Sequence, residues 1–391
     1  MEQITKSKNL FLVIFFTIGV LFSNRISAQE YIGSKQLRDS SEQELYLRIE
    51  NANFIRDREL YSKFTDGFVN LGFFVRPTLE YYFTNNTRIS AGVHLLKFSG
   101  RDEFTQAIPI LSIQQRFLKH FDLVLGSIYS SNSHNLDEPI YKMDNFYLHN
   151  IEYGMQLLSQ LDFFKADFWI NWEQHIFKDD PFQEKFQMGF SSTLKLGQKK
   201  NFGIEIPLQL FTLHKGGQID ASPDPAISIF NGVTGLNFIF RINKNHRIRL
   251  EPTVYSYKAL RMPKTGLYEN AWRNGEAYYL KVKYENPYFR FMAGYWHGHK
   301  FIAPKGDFLF QSVSETDSSF TQEYRKLFNF KFIFNYPISK DINIQLRTDE
   351  YYDITSHKMN HSYSLFFIIN HAFFISKIKT REEALRKRNL R

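Results

Sequence analysis

Long runs of alternating apolar and polar residues dominate this chain from residue 45 onward. In one of them Phe328, Phe330 and Phe332 alternate with Asn329 and Lys331. A period of two places all the apolar side chains on one face of a β-strand. Strands of soluble sandwiches usually have five or six residues, whereas a tilted strand that crosses a bilayer needs about 9–11. Because the runs here match the longer figure, they favour a transmembrane barrel over the alternative, a secreted soluble β-protein.

The N-terminus has the features of a cleaved signal peptide. Lys6 and Lys8 precede an apolar run from Leu10 to Phe22, and Ala28 follows at a small-residue site suited to cleavage. This run is shorter than the roughly 20 residues that a membrane-spanning helix requires. No other run of the sequence approaches that length. We therefore predict export with removal of residues 1–28, and a closed barrel is then the one way for the remainder to span a membrane.

The composition suits a barrel with one face toward lipid. The chain has 41 Phe and 22 Tyr among 391 residues, yet its mean hydropathy is -0.37, which is too polar for a helical membrane protein. A barrel reconciles these values, since one face of each strand meets lipid and the other faces the interior. The absence of cysteine from the sequence excludes disulfides and thiolate metal sites. We predict no cofactor.

The net charge of +9 is concentrated near the chain ends. Residues 377–391 contain seven Lys or Arg against two Glu, and the signal peptide adds a further excess of two positive charges. The basic charge therefore belongs to a C-terminal tail, residues 376–391, and not to a nucleic-acid-binding surface. We therefore predict no nucleic-acid partner.

The links between the runs alternate between short turns and long polar segments, as in transmembrane barrels, where short turns face the periplasm and long loops face outside. Fifteen strands can be read from Phe68 to Phe374, and the parity of the turns requires one more, Leu45–Ile55. We predict an all-β, antiparallel up-and-down barrel of about sixteen strands over residues 45–375. Fourteen or eighteen strands stay possible, because four prolines interrupt the assigned strands: Pro77, Pro109, Pro207 and Pro252. The main long loops are 130–146, 213–230, 258–276 and 299–323.

In these respects the chain resembles the outer-membrane β-barrel proteins of Gram-negative bacteria and is porin-like in size. The resemblance covers residues 45–375 and is architectural, without a signature motif. It departs from the usual pattern at the end, where such barrels commonly finish on an aromatic residue, whereas Phe373 and Phe374 are followed here by the basic tail. The resemblance implies a location in the outer membrane, with outer-membrane lipids, the barrel-assembly machinery and small solutes as partners. The parity of the turns predicts that both termini, and with them the segment 29–44, lie in the periplasm.

The polar faces of the strands are predicted to line the barrel interior, and they carry charges of both signs. Rings of fixed charge in a wide lumen would select which solutes pass, and pairing of these side chains to support the wall is the alternative. The predicted lumen-lining residues are Arg76, Glu80, His94, Arg116, Lys165, Asp167, Glu173, His175, Arg249, Glu251, Lys281, Lys283, Arg290, Lys331, Arg347 and Asp349.

One loop brings together residue types that acyl hydrolases use. Ser131, Ser133 and His134 lie in the run from Tyr129 to Pro139, and a barrel hydrolase needs a serine activated by an oriented histidine. Outer-membrane phospholipases and lipid A deacylases place their histidine before a His-x-Ser-Asn run, but here Asn135 and Leu136 follow. Neighbouring residues of a strand also point to opposite faces, which argues against a direct Ser133–His134 pair. A polar loop rich in local turns is the favoured interpretation.

His297 and His299 form a second weak candidate, for a metal site. Their i, i+2 spacing places both rings on one face of a strand, but no carboxylate or cysteine partner can be identified nearby.

Three functions are consistent with the sequence. The favoured one is a channel for small polar or ionic solutes through a mixed-charge lumen, which is not an enzyme. The alternatives are a barrel-embedded acyl hydrolase that acts on membrane lipid, and a structural or binding barrel that meets a partner through its long extracellular loops.

Overall fold

A computed structural model describes residue 37 and residues 41–129, 131–217 and 219–378. The predicted signal peptide, most of the segment 29–44 and the tail beyond residue 378 lie outside the described residues. Leu37, from the predicted N-terminal segment, is buried and packs against Tyr46 and Tyr82.

Seventeen β-segments in chain order build one antiparallel sheet. They are β1 (Glu44–Glu59), β2 (Phe68–Thr84), β3 (Thr87–Phe98), β4 (Gln106–Phe117), β5 (Phe121–Ile128), β6 (Glu152–Gln160), β7 (Phe164–Gln174), β8 (Lys185–Leu196), β9 (Phe202–Lys215), β10 (Ile227–Gly235), β11 (Asn237–Arg241), β12 (Arg247–Arg261), β13 (Asn274–Glu285), β14 (Phe289–His299), β15 (Tyr324–Pro337), β16 (Ile342–Asp353) and β17 (Lys358–Lys377). Short helical turns occur at Ser131–His134, Asn145–Leu148, Gly266–Tyr268 and Phe308–Phe310.

The sheet closes into a barrel because β1 pairs with both β2 and β17. The seam between β1 and β17 runs from Glu44, opposite Lys377, to Glu59, opposite His361. Segments β10 and β11 share the same two neighbours, β9 and β12, so they are the two halves of one barrel strand. The barrel therefore has sixteen strands, as the alternation and the turn parity predict.

The split between β10 and β11 has a local cause in Pro252 of the neighbouring strand. Proline has no N–H to donate, so the ladder loses a bond at that position. Leu236, between the two halves, instead donates its N–H to the oxygen of Pro252 at 3.1 Å. All four prolines lie inside strands, yet the register shifts of the barrel occur at other residues, such as Leu45 and Tyr82.

The outward face of the barrel is apolar and the inward face is polar, which is the arrangement of an outer-membrane barrel. Within the described residues, no helix is long and apolar enough to span a bilayer. The exposed outward side chains include Val69, Leu71, Leu111, Leu125, Val254, Leu280, Val282, Phe291, Phe328, Phe330, Leu365 and Phe367.

Two loops at the long-loop end fold back into the barrel, and we call residues 131–151 and 300–323 the inserted segments. The second carries side chains with at most 1% exposure, among them Phe301, Leu309 and Phe310, which pack with Trp296 and Tyr351 of the wall. The interior that the sequence predicts as a wide water channel is therefore largely filled. A cavity of about 120 Å³ remains, lined in part by Arg48, Arg76, Glu80 and Arg88.

Candidate functional site

The predicted lumen residues mostly point inward, and many of them form ion pairs. Arg48 contacts Glu80 at 2.7 Å, Arg116 contacts Asp122 at 3.0 Å, and Arg347 contacts Asp349 at 2.8 Å. Such pairing leaves few free charges to select a solute, because a fixed charge acts on a passing ion only to the extent that it is not neutralised by a neighbour.

His175 departs from the lumen prediction. Strand β7 ends at Gln174, so the period-two alternation does not extend to residue 175. The His175 side chain is exposed in the following loop, where its ring contacts Phe177. Lys165 stays on the inward face of β7 but is exposed near the short-turn end.

Carboxylates of the first inserted segment bind cations of the barrel wall. Asp137 accepts from Lys281 at 2.6 Å and also from Tyr255, while Glu138 binds Lys331. Burial opposes ionisation of Asp137, but Lys281 and Lys283 outweigh it and hold the pKa of this carboxyl below its ordinary value.

Further along, Asp144 and Asp307 of the two inserted segments both contact Arg58 of β1, the second at 2.7 Å, and Asp144 also contacts Arg56 at 2.8 Å. Lys305 of the second segment contacts Glu173 of β7 at 2.6 Å. The two segments are thus fixed inside the barrel by charge pairs that reach several strands.

His134 lies inside the barrel, fully buried, and not in a polar loop outside the barrel as the sequence predicts. Its Nε2 is 3.0 Å from Glu152 and its Nδ1 is 3.1 Å from Asp167. The ring stacks on Trp169 with centroids 3.6 Å apart, and a Cβ at Gly189 would overlap that indole. Because both ring nitrogens contact carboxylates, neither is available to accept a proton from Ser133. The side chain of Ser131 lies outside the described residues.

His134→Ala should therefore act on stability. Removing the ring leaves Glu152 and Asp167 buried without their shared partner, and breaking a buried ion pair from one side costs about 3–5 kcal/mol. Unfolding by urea in lipid vesicles measures the change in free energy. His297→Ala is the matched control and should cost less than about 1 kcal/mol, because that ring is half-exposed. If both variants lose the same free energy of unfolding, the buried His134 ring does not stabilise the barrel through Glu152 and Asp167.

His297 and His299 share the outward face of β14, as predicted, but His299 already has charged partners. Its Nε2 is 3.2 Å from Glu323, which Lys300 also contacts. Hydrogen bonds from Lys300 and His299 lower the pKa of Glu323. No group of three or more His, Cys, Asp or Glu side chains in the described ranges could hold a metal ion.

A different serine–histidine pair lies on the outward face of the barrel at the long-loop end. His214 on β9 and Ser228 on β10 are directly opposite in the strand register, and His214 Nδ1 is 2.8 Å from Ser228 Oγ. His214 Nε2 is 2.7 Å from the backbone oxygen of Gly216. A carbonyl oxygen can only accept, so Nε2 carries the proton of the neutral ring and Nδ1 accepts from the Ser228 hydroxyl. The unprotonated nitrogen thus faces the hydroxyl, as a histidine base requires, although the roles of Nδ1 and Nε2 are exchanged relative to a Ser-His-Asp triad.

Two aromatic side chains lie on one side of this pair, which we call the outer dyad. Phe186 lies 4.9 Å from the His214 ring, centroid to centroid, and Trp172 stacks on Phe186 at 5.2 Å. Trp172 is exposed on the same face, and both members of the outer dyad are half-buried. A serine hydroxyl in hydrogen-bond contact with a histidine therefore lies beside an apolar surface.

Comparison with solved structures finds barrels of low sequence identity. The outer membrane protein OprD from Pseudomonas aeruginosa is 12% identical with a TM-score of 0.49, and the match covers 88% of this chain and 98% of that one. OccAB4 from Acinetobacter baumannii is 13% identical with a TM-score of 0.44, covering 84% and 98%. A loop-deletion mutant of OmpT from Vibrio cholerae is 8% identical with a TM-score of 0.48, covering 84% and 99%. No curated protein matches the chain.

The sequence profile of a family described as lipid A 3′-O-deacylase-type matches residues 37–378, which is nearly the whole described chain. That family is one of enzymes, so the sequence-based expectation that the chain is not an enzyme was wrong. That expectation rested on the loop at residues 131–134, whose run departs from the hydrolase motif, and no sequence motif marks the outer dyad. The chain belongs to the lipid A 3′-O-deacylase-type family.

Proposed function

We propose that this chain is an outer-membrane acyl-ester hydrolase that removes an acyl chain from lipid A, with Ser228 as nucleophile and His214 as general base. The observation that carries the proposal is the 2.8 Å contact between His214 Nδ1 and Ser228 Oγ on the lipid-facing side of the barrel. Family membership supports lipid A as the substrate class. The pairing of an oriented histidine with a serine is the arrangement that activates a hydroxyl nucleophile.

The chemistry follows from the tautomer. As Ser228 Oγ attacks the ester carbonyl carbon, its proton passes to His214 Nδ1, and the Gly216 oxygen holds the protonated ring in place through Nε2–H. The bond between the acyl carbon and the sugar oxygen then breaks, and the leaving oxygen takes the proton from Nδ1. Water attacks the acyl-Ser228 ester while His214 again accepts a proton. The bond between the acyl carbon and Ser228 Oγ then breaks, Oγ takes the proton back from Nδ1, and a fatty acid is released.

The location of the outer dyad supports a substrate in the outer leaflet. Loop 216–226 joins β9 to β10 and lies at the long-loop end, and long loops of bacterial outer-membrane barrels face outside. With that orientation both termini are periplasmic. Ser228 is then one residue inside the start of its strand, near the outer end of the barrel wall.

Active-site labelling tests the proposal. Purified protein in detergent is incubated with a fluorophosphonate probe, which phosphonylates activated serines, and is then analysed by peptide mass spectrometry. We expect one labelled peptide that contains Ser228, together with release of fatty acid from lipid A by unlabelled protein. Labelling at Ser133 in place of Ser228, or no fatty acid release by folded protein, would overturn the assignment.

Conduction of small solutes is a second candidate function, favoured by the polar cavity of about 120 Å³. The inserted segments occupy much of the remaining interior, so ions would cross only when these segments move. Under this hypothesis the resting barrel has a low conductance and the ion pairs of Asp137 and Glu138 keep it closed.

A further inference from the structure

We infer that four exposed cations beside the outer dyad bind the phosphate groups of a phosphorylated glycolipid and so select it as the substrate; this inference rests on the proposed function. The cations are Lys258, Arg261, Lys264 and Arg273, and we call them the basic loop. They lie on the end of β12 and on the connection from β12 to β13.

Strand register places the basic loop next to the nucleophile. Arg261 is the residue opposite Ser228 in the pairing of β10 with β12, and Lys258 is opposite Phe230, two residues further along β10. The N–H of Ala259 donates to the oxygen of Arg273 at 2.7 Å, which brings the far end of the loop back to the same strand. All four cations are therefore carried by the segment that adjoins Ser228.

These cations differ from those of the barrel interior in having no acidic partner. Inward-facing cations such as Arg48, Lys281 and Lys331 each contact a carboxylate within 3 Å. The four cations of the basic loop are exposed and form no ion pair with any described residue. Their charge is therefore not neutralised from within the chain.

The loop that carries the cations is packed against the barrel. Met262 and Tyr268 are buried in the main core cluster, and the hydroxyl of Tyr257 donates to the oxygen of Trp272 at 2.8 Å. Binding a ligand on this surface does not require the backbone to be ordered first, which reduces the entropic cost of association.

The chemistry of the ligand follows from the charge of the basic loop and from its position along the barrel wall. A phosphate monoester carries a charge near −2 at neutral pH and accepts strong hydrogen bonds from guanidinium and ammonium groups. In a phosphorylated glycolipid the phosphates lie in the headgroup, just outside the acyl esters. Within the basic loop, Arg261 lies level with Ser228 and Lys264 lies further toward the long-loop end, so these two cations can contact the phosphates while an ester reaches the outer dyad. A zwitterionic glycerophospholipid has no net charge to satisfy this surface.

Binding and turnover are measured separately to test the inference. Ser228→Ala protein in detergent micelles is used for binding, with bisphosphorylated lipid A and phosphatase-treated lipid A as ligands. We expect the phosphorylated form to bind more tightly than the phosphatase-treated form, with an affinity that falls as salt is added. The affinity for the phosphorylated form should fall about fivefold for each cation removed. The variants are R261Q, K258Q/R261Q and the quadruple variant that adds K264Q and R273Q. Lys244→Gln at the opposite end of the barrel is the control.

Turnover is assayed with the same cation variants in the active protein, and with p-nitrophenyl butyrate as an uncharged ester. We expect KM for phosphorylated lipid A to rise while hydrolysis of the uncharged ester is unchanged. The inference is overturned if the two lipid A forms bind with equal affinity, or if Lys244→Gln lowers the affinity as much as removal of one basic-loop cation. This holds even if ester hydrolysis is observed. Absence of all hydrolysis together with phosphate-dependent binding overturns the proposed function and leaves the binding surface in place.

Discussion

Ser228→Ala should lower the kcat for fatty acid release from lipid A by at least about a thousandfold, since the nucleophile of a covalent mechanism is lost. His214→Gln should lower kcat by a similar factor, because without the base the Ser228 hydroxyl keeps its proton at neutral pH. The double variant should be no slower than either single variant, since residues that act as one unit are not additive. Mass spectrometry of lipid A after incubation with purified protein measures each rate.

Matched controls separate catalysis from the loss of a surface hydrogen bond. Ser256 is exposed on the outward face of β12, where its hydroxyl contacts the backbone oxygen of Gly232 at 3.4 Å. His297 is an outward histidine at the same end of the barrel. Ser256→Ala and His297→Gln should retain activity within about twofold. If Ser228→Ala retains the wild-type rate while the barrel is folded, Ser228 is not the nucleophile.

Excision of the second inserted segment should convert a closed barrel into a conducting one. Lys300 donates its backbone N–H to the oxygen of Glu323 at 2.8 Å, so two glycines can replace residues 301–322 without moving either strand end. The excision removes Phe301, Leu309 and Phe310 from the interior. Because a sixteen-stranded barrel without such a filling has a water-filled lumen, ion conductance in planar bilayers should rise by at least about tenfold.

The control for this excision is a two-glycine replacement of residues 101–104, a loop whose side chains are exposed. That variant should conduct as the wild type does. A truncated barrel that is folded, as judged by its resistance to SDS without heating, and still shows the wild-type conductance would mean that residues 131–151 suffice to close the lumen.

The barrel itself could be predicted because the sequence patterns that specify its strands and turns are local. Alternation in runs such as Phe328 to Tyr336 defines which side chains face lipid, and each short turn defines a reversal. Filling of the interior could not be predicted by the same rules, since loops of this length were expected to be polar and outside. The apolar triplets at 301–303 and 308–310 were a signal of burial within a long loop, but their contacts depend on wall residues far away in the chain, such as Tyr279 and Tyr351.

The outer dyad was missed for a specific reason. The sequence pattern predicts one long loop over residues 213–230, whereas in the structure β9 continues to Lys215 and β10 begins at Ile227. His214 and Ser228 are therefore strand residues, and their contact depends on a register that no local pattern reveals. One signal was present in the sequence. His214 and Ser228 fall at the alternate positions of their strands whose side chains face outward, and a polar side chain is unusual there because it faces lipid.

The contacts of Arg56 and Arg58 have a consequence for barrel closure. Both residues lie on β1, the strand that closes the barrel against β17, and they bind Asp144 and Asp307 of the two inserted segments. The inserted segments are therefore bound directly to the strand on which the barrel closes. Opening the seam between β1 and β17 would separate these buried carboxylates from their cations, so the filling adds to the energetic cost of opening the barrel.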